Sequence, residues 1–193
     1  MQGLIFKELK EYVRKKLGME SWDEVRKDAG VNTTLYNSAQ VYPDTELIAL
    51  FTKSAERLGL PVQSMLEEFG KYFTQVFFRT RLHFIDPQWD YLTLVEHGPE
   101  ILKQMEKRHT PNSPPASLRV TRDSPEQVTM TYSSPRRLCS FVRGMLKGVA
   151  KQYHVEITIE EPRCMLKGQA ECVYVVRVVG STKQSKEASE SKE

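Results

Sequence analysis

The stretch Tyr132-Ser133-Ser134-Pro135-Arg136 stands between an alternating, strand-like run and a long amphipathic helix. Residues 127–132 put Val128, Met130 and Tyr132 on one face and Thr129 and Thr131 on the other. If the extended geometry continues past Tyr132, a period of two places Tyr132, Ser134 and Arg136 on the same side. Two hydroxyls and a guanidinium fork then converge. That set suits one or two carboxylates, because arginine matches carboxylate geometry with paired donors. Pro135 ends the strand and can start the next helix. An ordinary strand-to-helix turn with an exposed arginine has the same spacing, so both readings stand at this point.

Outward from this motif the chain divides in character. On the C-terminal side, 117–121 and 127–132 read as a hairpin around Asp123-Ser124-Pro125. Residues 136–153 read as a helix with Leu138, Phe141, Val142, Met145, Leu146, Val149 and Tyr153 inward, and 155–160 and 172–179 as two further strands. On the N-terminal side the periodicity is helical: 4–17, a short helix with a Ser21-to-Glu24 capping box, a helix capped by Asp44 and ended by Gly59, and a long helix opened by Pro61. Asp86-Pro87 suggests a turn that starts a helix, Gly98-Pro99 breaks the pattern, and Pro99 restarts a helix to about 108. The expected class is α+β, with a helical subdomain at 1–60, an α+β subdomain at 61–180 and a polar, disordered tail at 181–193.

The composition, 39% hydrophobic and 27% charged over 193 residues, is that of a soluble globular domain. A net charge of +3 favours neither a nucleic-acid nor a membrane partner. Arg143, Lys147 and Lys151 read as a solvated helix face. Charged residues interrupt the N-terminus, and no apolar run is long enough to span a bilayer. Three cysteines, an odd number, fit a reducing cytoplasm with thiols free or on a metal. No nucleophile-base pair, phosphate loop or convincing pair of acids points to an enzyme.

Tyr-x-Ser-x-Arg followed directly by a helix resembles the heme-propionate motif of the heme-nitric oxide/oxygen binding (H-NOX) family. Met1-Gln2-Gly3-Leu4-Ile5, Trp22, Phe69-Gly70 and Pro114-Pro115 sit where that family would have them, so the resemblance covers about residues 1–179. It implies b-type heme, with Tyr132, Ser134 and Arg136 on the propionates and Ile5, Leu9, Phe73, Leu102, Pro115 and Phe141 around the pocket. The family's proximal histidine, counted without gaps, would fall at Leu102 or Lys103, neither of which is an axial ligand. His109, seven residues beyond Leu102 and so on a similar helix face, is the candidate ligand, and His97 the alternative. His83 and His154 read as surface or structural residues.

Oxygen-holding members of the family carry a distal tyrosine. The matching place is Phe141, with Leu9 and Phe73 beside it, and none can donate a hydrogen bond. The resemblance therefore implies selectivity for nitric oxide. It also extends to a bacterial branch in which Cys139, Cys164 and Cys172 would be zinc ligands. Where that branch has a histidine three residues before the second cysteine, this chain has Glu161, the candidate fourth ligand. The implied role is a non-catalytic, cytoplasmic nitric oxide sensor that signals to a separate histidine kinase or cyclic-di-GMP enzyme. The other reading is a heme-free zinc/thiol redox switch or adaptor of the same fold.

Overall fold

Apolar residues at helical spacing give the N-terminal part four helices: α1 (Gly3–Leu17), α2 (Ser21–Asp28), α3 (Asp44–Leu58) and α4 (Val62–Arg81). The structure is a computed structural model describing residues 1–109 and 116–181, without the side chains of 81, 82 and 105–109. Phe6, Leu9 and Val13 of α1, Trp22 and Val25 of α2, Leu50 and Phe51 of α3, and Met65, Phe69 and Phe73 of α4 form one buried core. Each such side chain contributes about 1.5–3 kcal/mol on burial.

A second core lies between α5 (Tyr91–His109), α6 (Cys139–Gln152) and one face of a sheet. The sheet contains β1 (Ser117–Ser124), β2 (Gln127–Ser133), β3 (Val155–Arg163) and β4 (Cys172–Ser181), all antiparallel neighbours in the order β1-β2-β4-β3. Strand alternation decides its inner face. Val128, Met130 and Tyr132 of β2 stand opposite Val176, Tyr174 and Cys172 of β4, and all six are buried. The register therefore sets Tyr132 directly beside Cys172.

Helices α4 and α6 cross in close contact. A Cβ on Gly144 would collide with the Glu67 carbonyl oxygen, and one on Gly70 with the Phe141 carbonyl oxygen. Only glycine permits that approach.

Several local expectations are corrected. Ser21 does not cap α2; it is the first helical residue, and its hydroxyl donates to the Gly18 carbonyl at 2.6 Å instead. Asp44 is likewise inside α3, whose cap position is Pro43, because its carboxylate is used elsewhere. Helix α5 runs unbroken through Gly98-Pro99. A proline there costs about 3 kcal/mol of helix stability, but Leu94, Val95 and Ile101 are buried on both sides of it, and that burial outweighs the lost bond. Its start is fixed by Asp90, whose Oδ1 accepts from the Thr93 amide at 2.7 Å. Helix α6 starts at Cys139 rather than 136, because Arg137 takes a left-handed φ of 48° and breaks the chain's direction first. Of the expected tail at 181–193, Ser181 is instead the last residue of β4, and 182–193 lie outside the described residues.

Candidate functional site

Strand β2 ends at Ser133, and the turn after it brings the three motif side chains together. Tyr132, Ser134 and Arg136 all line one cavity. The Arg136 amide donates to Ser134 Oγ at 3.3 Å, which folds the turn back on itself. Burial pushes the Tyr132 hydroxyl pKa up, with Ser134 beside it working in the opposite sense. Arg136 reaches across to α3, where its Nε donates to Asp44 Oδ2 at 2.7 Å. The other Asp44 oxygen accepts from the Met1 amino group, also at 2.7 Å. Burial opposes charge on Asp44, but the Met1 amine and the Arg136 guanidinium override it and hold its carboxyl below the ordinary value. Asp44 thus engages part of the Arg136 guanidinium fork.

The cavity measures about 320 Å³ and is almost wholly apolar. One wall comes from the helical core through Ile5, Phe51, Phe69 and Phe73, and α6 adds Phe141, Val142 and Met145. Phe141 packs 5.7 Å from Phe73 and 5.8 Å from Phe69 between ring centres. The opposite wall comes from α5, with Leu94, Val95, Gly98, Ile101 and Leu102. A flat apolar group with carboxylates at one edge matches this arrangement: hydrocarbon walls, with polar donors gathered at Tyr132, Ser134 and Arg136.

Of the sequence-derived pocket residues, Ile5, Phe73, Leu102 and Phe141 line the cavity. Leu9 does not; it is fully buried in the helical core, because its position on α1 faces α2–α4 rather than the cavity. Pro115 lies outside the described residues. Leu102 faces the cavity whereas Lys103 is exposed, so the histidine register is occupied by a hydrocarbon. Among the described lining residues there is no histidine and no cysteine. His97, the alternative ligand, is exposed and stacked on Trp89 with 3.9 Å between ring centres and 3° between planes, outside the cavity wall. His109 is the last residue of α5, and its side chain lies outside the described residues. The described wall therefore fits the macrocycle and carboxylates of a heme but holds no nitrogen ligand for its iron. His83 and His154 are exposed, His83 against Phe84 and His154 in a left-handed turn with φ 54°.

A second cluster adjoins the first. Cys139 opens α6, Cys164 precedes a short 3-10 turn, and Cys172 opens β4. The three are buried, and their sulfurs all lie within 4.8 Å of one another. Cys172 Sγ is 3.1 Å from Cys139 Sγ and 3.9 Å from Cys164 Sγ. Sulfurs of a tetrahedral zinc thiolate site stand roughly 3.8 Å apart, given Zn–S near 2.3 Å, so the Cys172–Cys164 spacing matches such an ion and the Cys172–Cys139 pair would have to open by about 0.7 Å. Burial, then the adjacent Cys172 sulfur, push the Cys139 thiol well up; burial does the same for Cys164, with Glu161 adding to it. A raised pKa keeps a thiol protonated and poorly nucleophilic, and Cys139 and Cys164 are shifted in that direction.

Glu161 on β3 is half-buried, and its Oε2 accepts from Arg143 at 2.9 Å. Arg143 also donates through Nε to Glu67 Oε2 at 2.7 Å, and Lys147 holds the other Glu67 oxygen at 2.6 Å. Arg143 and Lys147 are thus not a solvated face but a partly buried ion cluster between α4, α6 and β3; only Lys151 is exposed as expected. Neither Asp44 nor Glu67 was visible as a site residue in the sequence. The Arg143/Lys147 spacing of one turn was the available signal, and it lacked its acidic partner, which lies 76 residues away for Arg143.

Known proteins share this architecture. The haem-NO-binding family model matches residues 2–161. The structure of an H-NOX protein from S. oneidensis in the Fe(II)NO ligation state is similar with a TM-score of 0.86 and 26% identity, covering 93% of this chain and all 100% of that one. The I5F mutant of T. tengcongensis H-NOX, at 19% identity, shares the fold with a TM-score of 0.83 over 94% of this chain and 99% of that one. Soluble guanylate cyclase gcy-31 of Caenorhabditis elegans is 23% identical over 168 residues, which cover 83% of this chain. The chain spans only 23% of the length of that curated relative. With six α-helices and a four-stranded antiparallel sheet among the described residues, an apolar cavity edged by Tyr-x-Ser-x-Arg and this match over most of its length, the chain belongs to the haem-NO-binding (H-NOX) family of heme-based gas sensors.

Proposed function

We propose that this chain is a non-catalytic, cytoplasmic nitric oxide sensor that binds b-type heme in the apolar cavity and signals to a separate protein. The observation that carries this reading is the cavity itself, apolar on both walls, with Tyr132, Ser134 and Arg136 together among its few polar lining residues. These three residues would hold the propionates, and Arg136 would exchange its Asp44 partner for a ligand carboxylate. A bound heme supplies the iron that takes up the diatomic gas. Ile5, Phe73 and Phe141 offer that gas no hydrogen-bond donor, which disfavours polar bound oxygen and leaves neutral nitric oxide unaffected. His109 is the proposed axial ligand. By family resemblance the partner is a histidine kinase or a cyclic-di-GMP enzyme, and gas binding would shift a population between arrangements of the helical and sheet parts.

Absorption spectra of the protein reconstituted with hemin and reduced test this directly. A Soret band that shifts with nitric oxide and not with oxygen is the expected result, and His109→Ala should alter the ferrous spectrum. Absence of any Soret band after reconstitution would overturn the sensor reading.

A second reading is favoured by two observations: Leu102 where an iron ligand would face the cavity, and three cysteines gathered within 4.8 Å. In it the chain is a heme-free zinc/thiol switch or adaptor. Zinc on Cys139, Cys164 and Cys172 is compatible with either reading. Loss of metal on Cys164→Ser replacement is the expected result, and unchanged zinc content would exclude it.

A further inference from the structure

The two edges of the sheet differ. Along β3 the ladder is interrupted by bulges between Glu156 and Ile157 and between Glu160 and Arg163, and Pro162 removes an amide from the strand. Bulges and proline are ordinary means by which an edge strand avoids pairing with another chain. The β1 edge is not blunted in this way. Residues 117–122 pair with β2 in unbroken register, the one irregularity lies beyond Arg122, and the strand contains no proline. Among the described residues no strand pairs with its outer side. An open edge of 8 residues is a template for a further strand.

The residues of β1 specify which strand. Leu118 and Val120 point to the core, so Ser117, Arg119, Thr121 and Asp123 stand on the solvent face of the sheet, and all four are exposed. Asp123 is held on that face, where its carboxylate accepts from Thr129 Oγ1 at 2.7 Å and from Gln127 Nε2 at 3.0 Å. An antiparallel second copy of β1 centred on Thr121 sets Arg119 opposite the second copy's Asp123, Thr121 opposite Thr121, and Asp123 opposite Arg119. Two ion pairs then flank a pair of β-branched residues, and both kinds of directly opposed pair stabilise a sheet. Centring on Arg119 or on Asp123 instead opposes like charges, so the charge pattern selects Thr121. On the inner face Val120 falls opposite Arg122. The Arg122 guanidinium is already engaged within its own chain, by Glu96 Oε2 at 2.9 Å from Nε and by Thr93 Oγ1 at 3.4 Å from Nη2. Its charge is thereby neutralised, and its hydrocarbon stem is left to cover Val120.

We propose that the β1 edge is a self-association surface: two copies of this chain join β1 to β1, antiparallel about Thr121, and two four-stranded sheets become one continuous sheet. The two-fold axis of such a pairing is perpendicular to the sheet, so the α5 helices of both copies lie on the same side of it. The interface is a single strand pair with two exposed ion pairs, which makes the association weak, reversible and sensitive to salt.

Sedimentation equilibrium of the full chain from about 1 μM to 1 mM, the span suited to a small interface, reads this association. Wild type should pass from monomer to dimer within that range, and less readily at high salt. Arg119→Asp alone and Asp123→Arg alone each place like charges opposite one another twice, and each should weaken the dimer by about tenfold or more. The double swap of Arg119→Asp with Asp123→Arg restores opposite charges in the same register and should recover the dimer, which the mere loss of a structural contact would not allow. Thr121→Cys should form a disulfide-linked dimer in a glutathione redox buffer, because directly opposed residues stand within disulfide reach and the native thiols are buried. A wild type that stays monomeric over the whole range overturns the proposal. A dimer that the single reversals leave unchanged, that the double swap fails to restore, or that Thr121→Cys fails to link overturns it equally, and places the association on another face.

Discussion

Arg136 stands where a partly buried ion pair and a cavity wall meet. Its guanidinium pairs with Asp44, and the residue also lines the cavity beside Tyr132 and Ser134. Arg136→Ala removes charge-assisted bonds worth about 1.5–3 kcal/mol, so heme should be lost roughly 10–100-fold more readily. Transfer of heme to excess apomyoglobin, followed at the Soret band, measures this; an unchanged transfer rate would remove Arg136 from the site. Phe141 offers the complementary test. It sits in the cavity wall between Phe69 and Phe73, and Phe141→Tyr adds one hydroxyl donor there. The variant should hold a ferrous–oxygen complex that the wild type does not, read as a persistent oxygenated spectrum in air. The motif was legible because a two-residue period needs only local chain geometry. Its partner Asp44, 92 residues away, was not, and in the sequence it looked like a helix cap.

At the scale of elements, the crossing of α4 and α6 depends on bare backbone. In an ordinary helix Gly→Ala stabilises by about 0.5–1 kcal/mol. At Gly144 the added methyl would meet the Glu67 carbonyl oxygen, a backbone atom that cannot swing aside. The collision should prevail, and Gly144→Ala should be net destabilising by about 1–3 kcal/mol in urea unfolding. Gly148→Ala meets the Thr74 hydroxyl and its Cβ, which the α4 backbone fixes in place, and should be destabilising as well. A stabilised Gly144→Ala protein would show that the helices can part without penalty. Helix α5 carries the opposite lesson. Gly98-Pro99 reads as a break because proline removes a local hydrogen bond, but the helix continues because the sheet buries its residues on either side. Local rules locate most element ends, and they fail where burial of the whole segment is worth more than one backbone bond.

Across the whole molecule, two sets of charges tie distant parts together: Met1, Asp44 and Arg136 between the N-terminus, α3 and the turn after β2, and Glu67 with Arg143 and Lys147 between α4 and α6. Burial opposes the charge on Glu67, but hydrogen bonds from Lys147 and Arg143 hold its carboxyl below the ordinary value, as the Met1 amine and Arg136 do for Asp44. A carboxylate depressed in the folded state adds stability above its unfolded pKa of about 4, and that stability is lost as pH falls further. The melting temperature should therefore be level between about pH 7 and 5 and fall below about pH 4. Asp44→Asn with Glu67→Gln should flatten part of that fall, and an identical acid profile in the double variant would place the loss elsewhere. Each contribution is modest, since both carboxylates remain partly exposed. The sequence by itself determined the α+β class, the Tyr132-Ser134-Arg136 motif and the three thiols, because periodicity and residue chemistry are local properties of the chain. Only the tertiary structure decided that Leu102 faces the cavity, that Asp44 holds Arg136, and that Glu161 reaches Glu67 through Arg143. Those are pairings between residues far apart in the chain, set by how α3, α4, α6 and the sheet pack rather than by any neighbour in sequence.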